Sequence, residues 1–161
     1  MCENLWAPSD ERKDESTNHE DQHYHFRTGG TDCEPIGSAM LWGGNPEKDG
    51  LYLPITPPRN DGSTIYKLTV GEVPVDGFWS VTVYNKDGYL QSNPDNVYSV
   101  NSLTAKKGAD GLVTIQFGGC DRKIENCLPI TEGWNYTVRL FRPRPEILNG
   151  AWTFPDALPV N

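Results

Sequence analysis

Histidine is scarce in this 161-residue chain: there are three, His19, His23 and His25, all within one short segment. Any Ser-His-Asp triad or histidine-based metal centre must draw on that segment. Gly-x-Ser-x-Gly is absent, and so is Cys-x-x-Cys. The glycines of WGGNPEKDG (Trp42–Gly50) lack the Gly-Lys-Ser/Thr ending and the following helical pattern of a phosphate-cradling loop, so the stretch reads as a tight loop between strands. No run of 18 or more apolar residues occurs, so no membrane-spanning helix is expected. Positive charge is also short. Lys and Arg number 14 against 22 Asp and Glu, a formal net charge of −8, which argues against a nucleic-acid partner because phosphate binding needs a basic face.

What is present is aromatic and rich in turn residues. The length suits one domain with a real core. Apolar residues make up 36%, which is low, but 11% are aromatic, and each ring buries a large area. Sixteen glycines and 13 prolines favour many turns and disfavour long helices. The charge is uneven. Residues 1–21 hold Glu3, Asp10, Glu11, Asp14, Glu15, Glu20 and Asp21 against Arg12 and Lys13. With no apolar periodicity, residues 1–22 read as an acidic, disordered lead-in, and residues 23–161 as the folded domain. The lead-in lacks the basic and apolar regions of a signal peptide. Either the chain is not exported or a leader is missing from it.

The rest of the chain follows a period of two. In TIYKLTV, Tyr66, Leu68 and Val70 share one face, after the turn NDGS at Asn60–Ser63. Trp79, Val81 and Val83 alternate with Phe78, Ser80, Thr82 and Tyr84, and the turn Asn85–Gly88 follows. Val113, Ile115 and Phe117 oppose Thr114 and Gln116; Trp134, Tyr136, Val138 and Leu140 oppose Asn135, Thr137, Arg139 and Phe141. Further strands are expected at His23–Arg27, Ala39–Trp42, Leu51–Ile55 and Val97–Val100, with one helical turn near Pro145–Asn149. The pattern predicts an all-β fold: an antiparallel β-sandwich, jelly-roll-like, with the tail strapped on through Trp152 and Phe154.

Four groups of residues could carry chemistry. Cys120 and Cys127 enclose six residues, outside the spacing of paired metal ligands but suited to a disulfide staple across a loop; two reduced, buried thiols are the alternative. Cys2 and Cys33 are paired with nothing. His23 and His25, one residue apart, could offer two imidazoles to one metal ion, but such a site needs a third ligand that no spacing identifies. In RLFRPRPEIL, Arg139, Arg142 and Arg144 could form an anion-binding patch or could tie down acidic loops. Trp79 and Tyr84, with Arg139 and Arg142, are candidate ligand-binding residues, although the tryptophans also suit the core.

FWSVTVY (Phe78–Tyr84), the Asn-x-Leu-Pro element at Asn126–Pro129 and Arg-Leu-Phe-Arg-Pro at Arg139–Pro143 resemble the domain of unknown function numbered 1214, over roughly residues 35–160. That domain often follows another, numbered 1254, in exported bacterial proteins. The resemblance implies a jelly-roll-like β domain in the periplasm or secreted, with a partner domain or a homo-oligomer covering an apolar flank. Without a leader, a cytoplasmic location stays open. No reaction, cofactor or catalytic residue comes with it. The favoured expectation is a non-catalytic domain binding a small ligand, a glycan or a protein partner. One alternative is a hydrolase or metal-dependent enzyme using His23/His25 or a carboxylate pair. The other is a structural or assembly subunit.

Overall fold

A strand buries one face only if its apolar side chains fall at every second position. The structure, a computed structural model, describes residues 46–121 and 123–160. The predicted strands His23–Arg27 and Ala39–Trp42, the acidic lead-in, the three histidines, Cys2 and Cys33 lie outside the described residues.

Among the described residues there are eight strands: β1 (Gly50–Ile55), β2 (Tyr66–Val70), β3 (Trp79–Tyr84), β4 (Ser99–Asn101), β5 (Val113–Phe117), β6 (Cys127–Leu128), β7 (Asn135–Phe141) and β8 (Leu158–Pro159). They form two four-stranded sheets. Sheet A has the order β1-β7-β3-β4 and sheet B the order β6-β5-β2-β8. The fold is a β-sandwich rather than a closed barrel. All pairs are antiparallel except β5–β6, where Gln116 and Phe117 run parallel to Cys127 and Leu128. That departs from the expected all-antiparallel pattern. The chain leaves β5 through Gly118 and Gly119, both with positive φ, and circles back through a loop closed by the Cys120–Cys127 disulfide. Two residues of pairing are all that so short a return allows.

The predicted faces hold. Tyr66, Leu68, Val70, Val113, Ile115 and Phe117 turn inward from sheet B, and Trp79, Val81, Val83, Tyr136, Val138 and Leu140 from sheet A, all buried in one core. Aromatic rings join the layers: Phe117 stacks on Trp134 at 5.2 Å and meets Tyr136 at 5.0 Å, while Tyr66 meets Trp134 edge-on at 5.7 Å. Offset and edge-on arrangements of this kind add to what area burial alone supplies. Trp134 is fully buried, and its indole N–H has no hydrogen-bond partner among the described residues.

Two local features differ from the sequence reading. The strand expected at Val97–Val100 begins only at Ser99. The Asn93 side chain accepts from the Val97 N–H and donates to the Val97 carbonyl, which takes that residue out of the ladder. Gln116, on the outward face of β5, is nevertheless buried, because the loop after β5 folds over it and its amide donates to the Gly118 and Gly119 carbonyls.

Turns and tail follow the sequence. In NDGS, Asp61 accepts from the Ser63 and Thr64 N–H groups and the Thr64 hydroxyl, which holds its carboxyl well below the usual range. Gly62 has φ +75°, and a Cβ there would lie 2.5 Å from the Glu132 nitrogen. Only glycine fits. A single helical turn, α1 (Pro145–Leu148), starts at proline and is followed by Gly150 at φ +78°. The tail docks: Phe154 is buried against Trp79 and Trp152, and β8 pairs with the outer edge of β2.

Two stability predictions follow from these contacts. Closing so short a ring at Cys120–Cys127 contributes on the order of 2–3 kcal/mol through the unfolded state. Reductant should therefore lower the urea midpoint of the wild type, while the Cys120→Ser/Cys127→Ser variant should show no response. An unchanged wild-type midpoint would show that the ring does not stabilise the fold. For Tyr136, burial pushes the phenol up from 10.0 to about 12, against the Ala157 N–H that donates to its oxygen. The unfolded chain loses this proton first, so its contribution is complete below pH 10 and falls as the pH climbs from about 10 to about 12. The alkaline fall in urea midpoint should be shallower in Tyr136→Phe; identical slopes would assign it to other groups.

Candidate functional site

The outward face of sheet A gathers the residues with most to offer a ligand. In β7, Arg139 points away from the core because Val138 and Leu140 point into it. Antiparallel register sets Tyr52 of β1 on one side of it and Ser80 of β3 on the other. Two further positions along β3, Tyr84 projects from the same face. The Arg139 guanidinium donates to the Thr82 hydroxyl at 2.9 Å and to the Tyr84 hydroxyl, and it lies over both tyrosine rings, 5.9 Å from the Tyr52 centroid and 5.8 Å from that of Tyr84. Beneath it, Thr82 is buried although it faces outward.

The aromatic surface continues along the sheet. Phe141 meets Tyr52 edge-on at 6.4 Å and stacks on Phe78 at 4.4 Å. Tyr52, Phe78, Phe141 and Tyr84 are each partly buried. Ser80, Thr137, Ser99 and Asn101 supply hydroxyl and amide groups around this strip. The face thus combines flat rings, neutral polar groups and one cation. Arg139 has no carboxylate partner among the described residues, where the ion pairs are Lys86–Asp87 and Arg144–Asp76.

The other sequence candidates separate from this group. Trp79 lies on the inward face of β3, 4% exposed, in ring contact with Phe154; it belongs to the core and cannot share a ligand with Arg139 across the sheet. Arg142 is exposed at the end of β7 with φ +54°, where the chain turns and its carbonyl accepts from the Asp76 N–H. Arg144 ties down an acidic loop, donating to Asp76 at 2.8 Å. That hydrogen bond is the main cause holding the Asp76 carboxyl below its ordinary range. The three arginines therefore form no single patch. Of the four candidate ligand-binding residues, the structure brings together Arg139 and Tyr84.

Tyr52, Phe78 and Phe141 were not singled out as site residues. Their signal was the same alternation read for its other parity: aromatic side chains at positions whose neighbours are core. His23 and His25 lie outside the described residues, and with them the sequence His19-Glu20-Asp21-Gln22-His23, which matches the spacing of paired zinc ligands on a helix. Among the described residues no cluster of three or more His, Cys, Asp or Glu could hold a metal ion, and no helix is long and apolar enough to cross a membrane.

Comparison with known proteins supports the fold and leaves chemistry open. The VPA0106 protein from Vibrio parahaemolyticus, a solved structure, superposes with a TM-score of 0.65 at 24% identity, over 78% of this chain and 34% of its own. The chain thus spans about a third of that relative. A putative uncharacterized protein from Burkholderia cenocepacia gives a TM-score of 0.40 at 18% identity, over 68% of this chain and 28% of its own. No curated protein matches. The family model described as "Protein of unknown function (DUF1214)" matches residues 57–145, more than half of the chain, and takes in β2 through β7 and the start of α1. The chain belongs to that family.

Proposed function

We propose that this domain is a non-catalytic binding module of an oxidising compartment, the bacterial envelope, and that the outward face of sheet A takes an acidic glycan. One observation carries the reading: among the described residues Arg139 is held at the centre of an aromatic sheet face by neutral hydroxyls alone, without a carboxylate. A guanidinium in that position retains donors for a carboxylate and pairs with it more strongly than a neutral donor would. The Tyr84 ring beside it offers an apolar face to the C–H side of a sugar ring, and the serine, threonine and asparagine groups offer partners to its hydroxyls. The disulfide supports an oxidising compartment, because cytosolic thiols are kept reduced.

A second reading has its own support. The solved relative is about three times as long as the stretch matched here, so the same face could seat a further domain or a second copy of the chain. In that case sheet A would bind protein rather than sugar.

The test begins with stability. Arg139→Met removes a hydrogen bond from the half-buried Tyr84 hydroxyl and from the buried Thr82 hydroxyl, so it should cost about 1–2 kcal/mol in urea unfolding. A loss of more than about 3 kcal/mol would mark Arg139 as a structural keystone and remove the main support for the proposal. Calorimetric titration with oligogalacturonate should then show binding to the wild type that weakens roughly tenfold in Arg139→Met, with little response to uncharged maltooligosaccharides. Equal titration of wild type and variant would overturn the glycan reading. Dimer formation in light scattering that disappears in Arg139→Met would favour the second.

A further inference from the structure

Sheet B carries a different surface, and we infer from it a second, independent site: a basin for a tetrahedral oxyanion, the phosphate or sulfate ester of a small molecule. On the outward face of β2 and β5 a concavity of about 240 Å³ is lined by Lys67, Lys106, Lys107, Thr114, Gln116 and Asn126. A volume of that order holds several water-sized groups. Three lysines line it, and the one acidic residue of its lining is Glu125. None of the three lysines makes an ion pair among the described residues. In a chain of net charge −8, whose acids outnumber its bases, that concentration of unneutralised lysines runs against the average of the surface. Like charges around one concavity repel one another, and a multivalent anion relieves the repulsion of all three at once.

The basin is also built. Asn126, with φ +53°, reaches across and holds the lysine loop at both polarities: its amide donates to the Lys106 carbonyl at 2.8 Å and to the Thr114 carbonyl at 3.2 Å, and its oxygen accepts from the Lys106 N–H at 2.9 Å. A second wall is the loop bearing Ile124, Glu125 and Asn126, closed by the Cys120–Cys127 disulfide. The floor is Gln116, buried, with its amide nitrogen fixed on the Gly118 and Gly119 carbonyls. Lys67 projects from β2 beside this floor, since its register partner is Gln116. Lysine suits the class of ligand named: a compact charge on a flexible stem that meets tetrahedral oxyanions from several directions, where a flat carboxylate is better matched by arginine.

The probes are tripolyphosphate and a sulfated disaccharide, titrated calorimetrically into the intact oxidised chain at low ionic strength. We expect one molecule to bind per chain. The Lys106→Gln/Lys107→Gln variant should weaken binding about tenfold or more, consistent with the loss of charge-assisted hydrogen bonds. Lys86→Gln, which removes the same charge from an exposed site paired with Asp87, should leave it unchanged. Arg139→Met should also leave it unchanged, which keeps this result separate from the fate of sheet A. The tighter of the two probes identifies the ester. Absence of one-to-one binding by both probes would overturn the proposal. So would a loss in Lys86→Gln as large as in the basin variant, since the attraction would then be diffuse.

Discussion

The fold depends on rings meeting between two sheets. Trp134 and Tyr136 enter from sheet A, Phe117 and Tyr66 from sheet B, and their contacts lie between 5.0 and 5.7 Å from centre to centre. A chain with few aliphatic residues gains most of its buried area through such side chains. The arrangement carries a cost, the buried indole N–H of Trp134, which has no hydrogen-bond partner among the described residues. Once those rings are placed, the alternation along β7 leaves no choice about where Arg139 points.

That constraint explains why the two faces differ in chemistry. Inner positions are filled by packing and are not free to vary in polarity. Outer positions are free, yet on sheet A they hold rings and a cation, and on sheet B one lysine, Lys67, with threonines and a glutamine. The proposals for both surfaces rest on the same physical ground: positive charge that makes no ion pair among the described residues. On sheet A the holding groups are tyrosine rings and hydroxyls around one guanidinium. On sheet B they are an asparagine clamp and a disulfide-closed loop around three ammoniums.

Much of the architecture was legible because a period of two leaves little ambiguity when one face is buried. The burial of Tyr66, Leu68 and Val70, or of Trp134, Tyr136, Val138 and Leu140, follows from the alternation alone. The disulfide was legible from spacing, by elimination of metal and redox patterns. What escaped depends on tertiary placement. The Asn93 amide that displaces the start of β4 acts through geometry that no period encodes. Trp79 was offered both as core and as ligand platform; its place on the inward face of β3 and its contact with Phe154 from the distant tail put it in the core. The lysines of the basin come from β2 and from the loop before β5, and only the register of β2 on β5 brings them together.

The edges of the sheets bear on how such a domain lives beside others. An open edge strand invites pairing with another chain. Here β4, β6 and β8 are each two or three residues long, and the outer strand β1 carries Pro54, whose nitrogen can donate nothing to a neighbour. Edge-to-edge association is therefore the least favourable way for this fold to meet a partner. Faces are what remain, and the outward face of sheet A is the one with the rings. A sugar chain and a neighbouring protein domain would both be recognised there through the same side chains, so Arg139 is the residue at which the two readings of the surface meet. What separates them is the partner's chemistry: a sugar would use the rings as stacking platforms and the hydroxyls as hydrogen-bond partners, whereas a protein would need apolar contact across Phe78 and Phe141 as well.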